Sequence, residues 1–141
     1  MKAKQLIVVA CALSLTLITD LSMGSHCLDY EPSIVELTGK LKRVVFPGPP
    51  NYESVKEGDE PEPYWVLYLA SAICVNGDPK SDFNTPESKI KSLQLLISNY
   101  DKYRHLLGQR VTVKGLLTHS FTGHHNTPVM LGVRDIRKAL N

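Results

Sequence analysis

A chain of 141 residues with a formal net charge of +2 at pH 7 is long enough for one hydrophobic core. It is too nearly neutral for a domain devoted to duplex nucleic acid, which usually carries a strongly basic surface. No internal repeat or low-complexity tract divides it.

The chain opens on Met1-Lys2-Ala3-Lys4 and an apolar run from Leu6 to Ile18, followed by the small residues Ser22 and Gly24 around Met23. A short basic stretch, an apolar segment and small residues before Ser25 are the pattern of a secretory signal peptide, so residues 1–24 are expected to be removed after Gly24. A retained anchor is the alternative, but the run is shorter than the roughly 20 residues a spanning helix needs. Val8-Val9-Ala10-Cys11 resembles a lipidation box, although the apolar segment ahead of the cysteine, Leu6 to Ala10, would be too short for a leader. Losing Lys2, Lys4 and Asp20 with the leader brings the formal charge to +1 and leaves residues 25–141 as one expected domain, periplasmic or secreted, with no membrane span.

Two cysteines then remain, Cys27 and Cys74. In an oxidising compartment the simplest expectation pairs them, with two free buried thiols as the alternative.

From Ser33 to Phe46, Val35, Leu37, Leu41 and Val45 alternate with polar residues, predicting a long first strand with Gly39 at a bulge or corner. Five prolines and five acids between Pro47 and Pro63 predict an exposed loop, either functional or disordered. Tyr64 to Val75 is aromatic and β-branched and predicts a second strand. A turn at Asn76-Gly77-Asp78-Pro79 leads into a polar loop whose Asp78 and Asp82 lack the ligand density of a calcium loop.

Ile90 to Ile97 predicts a third strand. Ser98 is placed to cap a short helix over 99–107, with Tyr100, Tyr103 and Leu107 on one face and Gly108 closing it. Gln109–Thr118 and Pro128–Ile136 alternate cleanly as strands four and five. One short helix between strands three and four of five points to a mainly β fold, a small five-stranded OB-like barrel, with an irregular sandwich as runner-up.

The polar cluster with the most chemical capacity is the loop between the last two strands, which holds His119, Thr122, His124, His125 and Thr127. In an OB-like barrel this loop and the one between strands one and two flank the binding face, so the acidic proline-rich loop and the histidine loop are expected to be neighbours.

Gly39-Lys40-Leu41, the run from Phe46 to Tyr52, and above all Thr122-Gly123-His124-His125 with Thr127-Pro128-Val129 resemble the bacterial domain of unknown function 4431. The likeness extends over most of the chain beyond the leader, and Gly-His-His-x-Thr-Pro is its most specific element. It implies a small, exported, stand-alone domain and supplies no activity.

Three readings of the histidine loop compete. His119, His124 and His125 could ligate zinc or another divalent metal if the loop turns at the adjacent pair. The same loop with Arg110, Arg104 and exposed Tyr64, Trp65 or Tyr68 could recognise a glycan, a peptide or a protein partner. Or the side chains brace loop backbone, with Gly123 at positive φ. Trp65, Tyr68, Tyr100 and Tyr103 fit a core role better than a ligand platform.

Enzymatic chemistry has little to stand on. There is no Gly-x-Ser-x-Gly elbow, and a triad of Ser120, His119 and Asp135 can be drawn only on paper. The expectation is a non-enzymatic, cofactor-free exported binding module for an unknown envelope ligand or protein. Its binding residues would be His119, Thr122, His124, His125, Thr127 and Arg110. A periplasmic divalent-metal protein using loop 119–127 is the alternative.

Overall fold

A computed structural model describes residues 26–140; the proposed leader, its cleavage point and Cys11 lie outside the described residues. Within that range the five alternating segments are strands β1 (Ile34–Pro47), β2 (Pro61–Val75), β3 (Glu87–Leu96), β4 (Arg110–His119) and β5 (Val129–Lys138). The first turn of the connection between β3 and β4 is helix α1 (Tyr100–Tyr103), followed by a 3₁₀ turn at Arg104–Leu106.

The strands form one sheet in the order β1-β2-β3-β5-β4, which closes on itself through the pairing of β1 with β4. Closure replaces the sandwich alternative and leaves one interior. Every pairing is antiparallel except β3 with β5, which run parallel over Gln94–Leu96 and Met130–Gly132. Leu41, Leu67, Leu93, Leu95, Val113, Leu117 and Leu131 fill the interior with essentially no exposure. Each buried side chain of this kind contributes roughly 1.5–3 kcal/mol over an exposed one.

Gly39 marks the corner. β1 pairs with β4 through Lys40 and with β2 from Gly39 onward, so the strand passes from one partner to the other at this point. No register shift occurs there, so the expected bulge is absent. Instead a Cβ on Gly39 would collide with the Tyr68 carbonyl, and only glycine allows the approach. Register shifts lie elsewhere: between Lys114 and Gly115, where β4 slips against β5, and between Tyr68 and Val75, where β2 pairs with β3.

Three local expectations need correction. Val45 is half exposed, because beyond Leu41 β1 pairs with β2 alone and extends past the barrel interior. Asn99, and not Ser98, caps α1: its side chain accepts the Lys102 N–H, and the α-helical part is one turn long. The loop between β1 and β2 is folded, not disordered. Asp59 is buried within it and accepts the backbone N–H groups of Asn51, Glu53 and Ser54 at 2.7–2.9 Å. These bonds hold the Asp59 carboxyl below the usual carboxylate range.

Cys27 and Cys74 form a disulfide with Cα atoms 4.7 Å apart. Leu28 N–H donates to the Cys74 carbonyl and Asn76 N–H to the Leu28 carbonyl, so the segment before β1 is zipped onto the end of β2. Among the described residues no helix is long and apolar enough to cross a membrane.

Candidate functional site

The loop joining β4 to β5 is organised from below by a residue on β3 that sequence pattern alone would send to solvent. Gln94 is 1% exposed. Its Oε1 accepts the Asn126 N–H at 2.8 Å and the Asn126 side-chain amide at 3.0 Å, and its Nε2 donates to the His124 carbonyl at 2.9 Å. Thr127, also buried, completes the tie: its hydroxyl accepts the Gln94 N–H at 2.9 Å and donates to the Val129 carbonyl at 2.8 Å. A period-two pattern assigns Gln94 to the outer face, where it does lie; the loop covers that face. The one available signal was an amide flanked by leucines on a strand beside a polar loop.

Above this clamp the two loops meet. His124 Nδ1–H donates to Glu62 Oε2 at 2.9 Å, and the Tyr64 hydroxyl donates to the same oxygen at 3.0 Å. The His124 bond is the main reason the Glu62 carboxyl is held below its ordinary range, while burial, reinforced by Glu62, pushes the Tyr64 hydroxyl up to about 12. The Tyr52 ring stands edge-on to His124 with centroids 5.6 Å apart. Gly123 lies against that ring, where a Cβ would come within 3.2 Å of it. Gly123 does not occupy the positive-φ region, so close packing on Tyr52, not left-handed backbone, accounts for it.

The other two histidines face elsewhere. His125 Nδ1 accepts the Phe121 N–H at 3.2 Å, which makes it an acceptor, and its ring sits edge-on to Phe121 at 4.7 Å. Burial, assisted by the nearby His124, lowers the His125 pKa. His119 Nδ1 is 2.9 Å from the Ser120 carbonyl and Nε2 is 2.9 Å from Glu87 Oε1. Both ring nitrogens thus face acceptors, the arrangement of an imidazolium, and the Glu87 hydrogen bond raises the His119 pKa.

The three imidazoles expected to share a metal are therefore engaged in three separate places. No group of three or more His, Cys, Asp or Glu side chains converges on a metal position among the described residues. Thr122 is exposed, and its contribution to the loop is the carbonyl that accepts the His125 N–H.

Arg110 is not part of the site. It starts β4 and His119 ends it, so at about 3.3 Å per residue the two are roughly 30 Å apart. Arg104 is likewise remote, paired with Asp101. Trp65 is buried against Tyr100 with ring centroids 5.1 Å apart, and Tyr68 lies under the Lys42 ammonium. Asp135 bonds the Tyr103 hydroxyl and is paired with Lys114 across the sheet, away from Ser120 and His119, so the paper triad is not assembled. Asp78 accepts the Lys80 N–H in a local turn.

A comparison with curated proteins finds no match. A family match does exist, and it covers the second half of β3, the helical turn, β4, the histidine loop and nearly all of β5; Gly123 to Pro128 lies inside it, whereas Gly39-Lys40-Leu41 and the run from Phe46 to Tyr52 lie outside. Residues 92–137 match the model described as Domain of unknown function (DUF4431), so that part of the chain is similar to this family.

Proposed function

We propose that residues 25–141 act outside the cytoplasm as an OB-like binding module, non-enzymatic, recognising an envelope ligand or protein at the mouth where the β1–β2 and β4–β5 loops meet. The strand order and the helical turn between β3 and β4 support the OB-like assignment. The disulfide and the leader pattern support export. The observation that carries the binding reading is the position of His124, which contacts the exposed ring of Tyr52 in the β1–β2 loop and bonds Glu62 at the start of β2. A carboxylate, an imidazole, a phenol and an exposed aromatic ring in one patch suit a polar ligand with some flat apolar surface.

The test is a backbone-amide spectrum of labelled protein titrated with size-fractionated envelope extract. Shifts concentrated at Tyr52, Glu62 and His124, lost in His124→Ala, support the mouth as the site. Shifts confined to other faces reject it. Intact mass of the exported protein, beginning at Ser25, tests the leader separately.

A further inference from the structure

Two of the three phenylalanines of the chain are left in solvent, Phe83 at 69% and Phe121 at 67% exposure, and both line one cavity. Single exposed apolar residues are ordinary; two rings lining one cavity give it a shared apolar surface. The cavity, about 290 Å³, lies between the segment before β1, the β2–β3 loop and the end of β4. That is at the lower end of small-molecule sites, roughly 300–1,000 Å³, and suits one side chain better than a cofactor.

Its polar groups are unevenly used. Asn84 Oδ1 accepts the His119 N–H, and Ser81 Oγ accepts the N–H groups of Phe83 and Asn84. His119 is matched by Glu87. Two groups remain. Glu31 has no ion-pair partner among the described residues, and the buried Thr118 hydroxyl has no hydrogen-bond partner. The cavity therefore offers aromatic surface, one uncompensated carboxylate and an unused hydroxyl.

We propose that this cavity receives the guanidinium group of an arginine side chain from a partner polypeptide. A guanidinium is planar and weakly hydrated, stacks on aromatic rings, and carries several N–H donors, so it can pack on phenyl surface while donating to Glu31 and Thr118. A lysine ammonium is a compact, strongly hydrated point charge that gains less from phenyl surface. The cavity shares the β4–β5 loop with the mouth, but none of Tyr52, Glu62 and His124 lines it, so different residues report on each.

The experiment is an amide-shift titration of the purified protein at low salt with N-acetyl-arginine methylamide and with its neutral isostere, N-acetyl-citrulline methylamide. The arginine probe is expected to shift Thr118, His119 and Phe121 saturably and to bind about 10-fold more tightly than the citrulline probe. Glu31→Gln is expected to remove most of that difference while leaving citrulline binding unchanged, and Phe121→Ala to weaken both probes. Both positions are exposed, and unperturbed core amides report that the fold is intact. Equal binding of the two probes, an unchanged preference in Glu31→Gln, or absence of saturable shifts at Thr118 and His119 overturns the proposal. Shifts confined to Tyr52, Glu62 and His124 also overturn it, and favour the mouth instead.

Discussion

The side chain of Gln94 accepts the Asn126 N–H at 2.8 Å, so a residue on β3 holds the loop that follows β4 from beneath. Replacing Gln94 by leucine fills a similar volume and leaves the Asn126 N–H and the His124 carbonyl without this partner. The expected loss is about 2–4 kcal/mol by denaturant unfolding, with faster hydrogen exchange at 124–127. Thr127→Val, which removes a hydroxyl that both accepts and donates, is expected to cost about 1–3 kcal/mol, and Thr127→Ser much less. A stable Gln94→Leu variant with unchanged exchange would show that the loop is held by something else.

His119 and Glu87 link stability to pH. The folded His119 pKa lies above its ordinary value because of the Glu87 hydrogen bond, so the folded state keeps the proton to higher pH than the unfolded chain. The contribution of the pair is thus complete below about pH 6.5 and is lost as pH rises through the raised folded value. Glu87→Gln is expected to cost about 1 kcal/mol near pH 6 and markedly less near pH 9. A difference between wild type and variant that does not shrink on the alkaline side would refute the linkage.

Zinc is expected to leave the melting temperature unchanged. Both His119 nitrogens face acceptors, His125 Nδ1 already accepts a backbone N–H, and His124 Nδ1 is committed to Glu62. A metal at 100 times its Kd would add about 2.7 kcal/mol, a shift calorimetry detects easily. Such a shift, weakening as the imidazoles protonate, would revive loop 119–127 as a metal site.

Gly115 pairs with Val133 and Gly132 with Leu116, so the two glycines are diagonal neighbours on β4 and β5, but they differ in what they tolerate. A Cβ on Gly115 would collide with the Gly132 carbonyl, whereas one on Gly132 would sit 3.6 Å from the Leu116 carbonyl, in ordinary contact. Gly115→Ala is expected to cost about 3 kcal/mol, near the upper end for overpacking, and Gly132→Ala less than about 1 kcal/mol. Thermal unfolding of the two variants compares them directly, and equal costs would contradict the close approach at the β4–β5 bulge.

The five strands, the corner at Gly39 and the cysteine pairing were legible in the sequence because each depends on local chemistry, whereas the bulge expected at Gly39 and the positive φ expected at Gly123 were not found. Alternation reports which face of a strand is apolar, glycine tolerates backbone proximity, and two cysteines in an oxidising compartment have one intramolecular partner each. The meeting of the proline-rich and histidine loops was expected from the OB-like reading, in which those two loops flank one face. What covers an outward face, and how far apart two residues of one strand stand from a third element, depends on contacts between segments distant in sequence. That is why the burial of Gln94 was not legible, why Arg110 was grouped with a loop roughly 30 Å away, and why Val45, apolar and in register, stands half exposed beyond the end of the barrel. It is also why three neighbouring histidines suggested one metal site. Sequence brings them within seven residues of each other, and only the packed loops decide that one turns to Glu87, one to Glu62 and one to the backbone of Phe121.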